Sequence, residues 1–272
     1  MKETFHDVLT AAVADLAAHG YDNPYRLAEW LKRLRIAAIT TLPSDSQMDR
    51  KMQMAMETAF KRAIGKSRTT KIHPGVSRFT IQHIEPRLRS ELTRRILAGA
   101  DLIKLNREQA IEKTLQRFSG WASSIPAGGS RAVDKLEVKK HIGKPLQSMP
   151  YEERRLHIDQ GHKLMSAIDA TIAQQTGAIA AVWHSHWRQA GYDYREDHKE
   201  RDQKIYAIRG SWAFEQGLVN KGDGYLDEIT QPAEEPFCRC FATYISIMRD
   251  IPERMLTAKG KRLLEEVRLK RA

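Results

Sequence analysis

Two cysteines occur in the chain, Cys238 and Cys240, and they stand one residue apart. On an extended backbone that spacing turns both sulfurs to one side, and His184-x-His186 does the same for two imidazoles. With His198, these residues make a candidate ligand set for Zn²⁺, which prefers thiolate and imidazole in a tetrahedral structural site. A disulfide between such near neighbours would be strained, so two buried thiols beside a hydrogen-bonded core histidine are the alternative to a metal. The same histidines support a third chemistry: His198 with His184 or His186 as general acid and base on an RNA 2'-hydroxyl, and Arg195 or Arg201 stabilising the phosphorane. That would make a metal-independent ribonuclease. No Walker A loop, GxGxxG, GxSxG or HExxH pattern is present, so nucleotide hydrolysis and zinc proteolysis lack a motif.

These residues lie in VWHSHWRQAGYDYREDHKERDQKIYAIRG and in PAEEPFCRCFATY about thirty residues later. Together they resemble the C-terminal signature of the phage Mu F-like head morphogenesis family. There, a strand ending near a Trp leads to an Arg-x-x-His step, a nearby Asp-Gly, and then a Pro-rich approach to Asn-Cys-Arg-Cys. Trp183 matches the Trp, Arg195 and His198 the Arg-x-x-His step, Asp202 the Asp, and Cys238-Arg239-Cys240 the Cys-Arg-Cys. The chain departs from the pattern at Gln203, which stands for the Gly, and at Phe237, which stands for the Asn. The resemblance covers roughly residues 150 to 245. It implies a low-copy minor capsid protein of a tailed phage that associates with the portal protein, other capsid components and the packaged double-stranded DNA. Such a protein would reside in the virion, in the capsid interior or at the portal vertex, and in the host cytoplasm during assembly.

Composition agrees with a folded, polyanion-seeking chain. Over 272 residues the net charge is +11, and the mean hydropathy is -0.55. Cations set on phosphates release counterions, so nucleic acid is the natural long-range partner. No window approaches the roughly 20 apolar residues of a membrane span, and Met1 to Leu16 lacks a signal-peptide layout, so no membrane partner is expected.

The elements that must position these residues are mostly helical. Phe5, Val8, Leu9, Ala12, Val13 and Leu16 recur at helical spacing before Gly20, Asn23-Pro24 opens a second helix, and Ser44 with Gln47 caps a third that Gly65 closes. Residues 66 to 79 read as a basic linker. Pro86 is expected to open the next helix, whose Arg87, Arg89, Arg94 and Arg95 form a candidate DNA-contacting face, and a separate helix is expected from Asn106 to Phe118. A loop at 123 to 130, expected to be mobile, precedes a helix from Pro150 to about Gln175, and a strand follows over 178 to 187. The expected fold is α+β. A largely helical N-terminal region (1–65 and 80–149) precedes a smaller C-terminal α+β unit (150–252) and a basic terminal helix (253–272).

Overall fold

The computed structural model describes residues 3–65 and 78–270. The expected linker lies outside these residues, except that 78 and 79 already belong to a helix. The fold is α+β, helical for most of its length, with one small antiparallel sheet near the C-terminal end. Helices α1 (Phe5–His19), α2 (Pro24–Thr41) and α3 (Asp45–Ile64) begin where their capping residues predict. Thr4 makes a capping box with Asp7, Asn23 accepts from Tyr25 N–H, and Ser44 and Gln47 exchange backbone-to-side-chain bonds.

Between Gly65 and Gln175 the sequence reading gives three helices where the described residues form two. A single helix, α4 (Arg78–Ser123), replaces the two expected ones, and Pro86 lies within it. An interior proline removes one i→i−4 bond and costs about 3 kcal/mol, but Ile81, Ile84, Leu88 and Leu92 are all buried around it. Burying such side chains is worth about 1.5–3 kcal/mol each, so packing outweighs propensity. For the same reason α5 (Lys135–Gln175) starts well before Pro150 and contains both Pro145 and Pro150.

The chain divides into two compact units, each made from two stretches: 1–52 with 98–156, and 53–97 with 157–272. In the first, Val8, Ala12, Val13 and Leu16 of α1 pack with Leu34 and Ala38 of α2, Leu115 and Phe118 of α4, and Ile142 of α5. The loop after α4 is tied down. Its Gly128 and Ser130 N–H groups donate to His19 O and Ala17 O at 3.0 and 2.8 Å, satisfying carbonyls that α1 leaves without helical partners.

The second unit carries the sheet, in order β2-β1-β3, from β1 (Ala180–His184), β2 (Ile205–Ala207) and β3 (Phe241–Ile245). β1 is the central strand, paired with β2 through Ala181↔Tyr206 and with β3 through Ala181↔Tyr244 and Trp183↔Ala242. Its alternation divides two cores. Ala180 and Val182 join Val219, Met248 and Met255, while Ala181 and Trp183 join Tyr206, Cys238 and Cys240. Short helices α6 (Glu196–Glu200) and α7 (Trp212–Glu215) fill the connections, and α8 (Ala258–Leu269), capped by Thr257, ends the unit.

The α1 terminus depends on Gly20, whose φ is +78° and whose Cβ, if it had one, would lie 1.9 Å from Pro126 O. Gly20→Ala should therefore destabilise the protein by at least about 2 kcal/mol, from backbone strain plus displacement of the loop. Urea unfolding reads this as a lower midpoint at an unchanged slope.

Candidate metal centre

His198, Cys238 and Cys240 come together. Their ligand atoms all lie within 4.8 Å of one another, and all three residues are buried. Each sulfur is 3.6 Å from His198 Nδ1. His198 comes from α6, a short helix with Arg195 at its N-cap position, and the two cysteines come from the segment that leads into β3.

The surroundings favour a thiolate at Cys238 and a thiol at Cys240. The Ala233 and Cys240 N–H groups point at Cys238 Sγ, and the His186 N–H points at Cys240 Sγ. A hydrogen bond from the Cys240 thiol, opposed by burial and helped by those N–H groups, holds Cys238 well below the usual thiol range, to about 5. The same bond, with burial, pushes Cys240 up. The pair thus retains one proton between two sulfurs. On the far side of the imidazole, His198 Nε2 is buried without a hydrogen bond, 3.8 Å from the Glu235 carboxylate. A carboxylate that accepted this N–H would fix a metal-ligating imidazole, and Glu235 is the nearest carboxylate to Nε2, though without a hydrogen bond. The donor set therefore fits a soft or borderline cation. Among the described residues three ligands converge, and the Ser185 hydroxyl lies 3.8 Å from Cys240 Sγ.

The segment before the cysteines is held in a strained shape. Phe237 and Ala233 adopt φ of +58° and +64°, and Gln203, beside Asp202, adopts +64°. Residues other than Gly, Asn and Asp rarely adopt such angles without support. At Phe237 the support comes from Asp159 on α5, which accepts the Phe237 N–H at 2.7 Å, and from Tyr192, whose hydroxyl donates to Phe237 O and accepts the Arg239 N–H at 3.1 Å. Arg195 pairs with Glu235 and donates to Pro236 O, tying α6 to the same segment.

Trp183 packs edge-on against His198, with ring centres 5.3 Å apart, and Arg201 lies over Trp183 while bonding Asp197 and Thr230. Asp202 accepts from Ser185 N–H and from the Trp187 indole at 2.9 and 3.0 Å. Burial raises its carboxyl, but these bonds outweigh burial and leave it below the ordinary carboxylate range.

The other two histidines of the expected set do not join the cluster. His184 stacks on Phe241 and spends its two ring nitrogens on Gln203 and Thr243, at 3.1 and 3.0 Å. The strand alternation explains this, because His184 follows Trp183 and so leaves the opposite face of β1. His186 lies near Tyr192 and Phe241 instead. Asp159, Tyr192 and Glu235 were missed by the sequence reading. Glu235 and Tyr192 lie within the motif stretches, but Asp159 is 78 residues from its partner and gives no local signal.

On the expected nucleic-acid face, Arg89 pairs with Glu85, and Arg94 and Arg95 both pair with Glu91, at 2.7 Å in each case. Three of the four guanidiniums there are thus paired within the helix, on two carboxylates.

Beside Cys240 a cavity of about 40 Å³ is lined by His162, Asp169 and Tyr244. Burial pushes the Asp169 carboxyl up to about 6. A carboxyl raised on folding binds a proton that the unfolded chain releases, so it costs stability as pH climbs from about 4 through 6. Asp169→Asn should remove that loss, raising stability at pH 7 by up to about 3 kcal/mol while leaving it little changed near pH 4, as measured by denaturant titration at both pH values. No family model matches the chain, and neither does any curated protein or solved structure with which it was compared.

Proposed function

We propose that this chain is a Mu F-like minor head protein of a tailed phage, a structural component that joins the portal during head assembly and contacts packaged DNA, with a zinc-stabilised C-terminal unit. The observation that carries the reading is the backbone at the two places where the sequence departs from the family motif. Gln203 stands where the motif has Gly, and Phe237 where it has Asn. Both have positive φ, +64° and +58°, the region that Gly and Asn enter most easily. Positive φ at these two positions supports a turn geometry that Gly and Asn would adopt more readily than the residues present.

The motif residues also serve one another. Trp183 packs on His198, Arg195 braces the segment before Cys238-Arg239-Cys240, and Asp202 ties the end of β1 to Trp187. Zn²⁺ would be held by His198 Nδ1, Cys238 and Cys240, and would supply cross-linking energy to a small core, with Glu235 orienting the imidazole. A ribonuclease reading draws less from the site. His198 is 2% exposed and faces two sulfurs, while Arg195 and Arg201 are committed to Glu235 and Asp197.

Two measurements test this reading. Gln203→Gly and Phe237→Asn should each stabilise the protein by about 1 kcal/mol, the strain relieved at a left-handed position. Loss of stability in both variants would count against the inherited motif. Co-expression with the portal protein of the same phage should yield a co-purifying complex carrying about one zinc per chain by elemental analysis. The zinc should disappear in Cys238→Ser and Cys240→Ser. A chain that never co-purifies with the portal and is missing from mature particles is not a head protein.

A further inference from the structure

A second site lies in the first compact unit, between α4 and α5, in a polar cavity of about 360 Å³ lined by Asn106, Lys113, Arg117, Lys144 and Ser148, among others. Three of those side chains are cations, and Glu152 is the one acid in the lining. Glu152 is itself paired with Arg155 at 3.5 Å, whereas among the described residues neither Lys113 nor Lys144 has an acidic partner. Asn106 adds a buried amide nitrogen without a hydrogen-bond partner.

The fold also fixes one of the cations. Pro145 has no N–H to give to His141 O, four residues earlier in α5. Arg117 donates to that carbonyl instead, from Nη1 at 2.8 Å. The guanidinium is thereby anchored at the cavity with most of its N–H donors uncommitted, ready for a planar oxyanion. Excess cations, a held guanidinium and an unpartnered amide donor are the features of a phosphate-binding site. The Arg87 to Arg95 face contrasts with it, because Arg89, Arg94 and Arg95 already bond Glu85 and Glu91.

We infer that the Lys113–Arg117–Lys144 cavity binds backbone phosphate of double-stranded DNA and is the principal DNA contact of the first unit. The inference rests on the DNA-contact part of the proposed function, and its test separates the two. The probe is a fluorescently labelled DNA duplex, titrated with the full-length protein by anisotropy across salt from about 50 to 200 mM. Lys113→Gln/Lys144→Gln should weaken binding equally for unrelated duplex sequences and flatten the log-log salt dependence by about 1.8, two phosphate contacts at about 0.9 each. Both lysines are exposed, so the double variant should melt like the wild type. Arg94→Gln should leave the slope unchanged.

A double variant with wild-type affinity and slope overturns the assignment of the cavity while DNA contact stands. A wild-type chain that does not bind the duplex at low salt overturns DNA contact and this inference with it. Calorimetry with inorganic phosphate at constant ionic strength distinguishes a free anion. Saturable phosphate binding that the double variant loses, with duplex affinity intact, reassigns the cavity to a small phosphate ligand and overturns the DNA assignment.

Discussion

Two sulfurs, each 3.6 Å from one imidazole nitrogen and all shut away from water, set the terms for the second unit. Burying polar groups is costly unless each finds a partner, and the elements around this trio provide partners for the two sulfurs, while His198 Nε2 has no hydrogen bond. Backbone N–H groups of Ala233, Cys240 and His186 reach the sulfurs, and Glu235 stands behind His198. Delivering those N–H groups requires Ala233 and Phe237 to take left-handed angles, which in turn requires Asp159 and Tyr192 to hold the segment. The chain of dependence runs from the cysteines outward to α5. A small three-stranded sheet, with one central strand covered on both faces, has few other means of fixing its ends.

How much of this was legible in the sequence varied with the range of the forces involved. Helices α1 to α3 were legible because periodicity and capping are local: α1 shows in its apolar spacing, and Asn23 and Ser44 act on N–H groups two or three residues away. Helices α4 and α5 were not. Pro86, Pro145 and Pro150 carry the local signal for a helix boundary, and what overrides it is packing and replacement bonding from residues distant in sequence. Arg117 bonding His141 O across Pro145 is one such replacement. The loop over 123 to 130 was misjudged for the same reason, since its fixed shape comes from its bonds to the end of α1.

At the site, residue types could be read but membership could not. Cys238 and Cys240 with His198 were identifiable from spacing and from the company of Arg195 and Trp183. His184 and His186 were grouped with them because their spacing sets both imidazoles on one side of an extended strand, but alternation along β1 makes that the side away from Trp183. Side-chain direction should have outranked ligand type there. Asp159 could be found only by folding the chain, because no rule of spacing links α5 to a residue 78 positions later.

Charge shows the same division between composition and placement. A net charge of +11 establishes attraction to polyanions, but it does not say which cations are available to them. On the Arg87 to Arg95 stretch, glutamates three or four residues away on the same helix take up the guanidiniums, which is the ordinary behaviour of helical i,i+3 and i,i+4 pairs. Such pairs are worth little to stability, yet they decide where the external field is strong. Among the described residues Lys113 and Lys144 form no ion pair, and Arg117, which lines the same cavity, donates to a carbonyl that Pro145 leaves without its helical donor. A proline that looks like a helix breaker thus acts as a positioning device for a cation, and the location of the positive field follows from backbone bonding as much as from the count of basic residues.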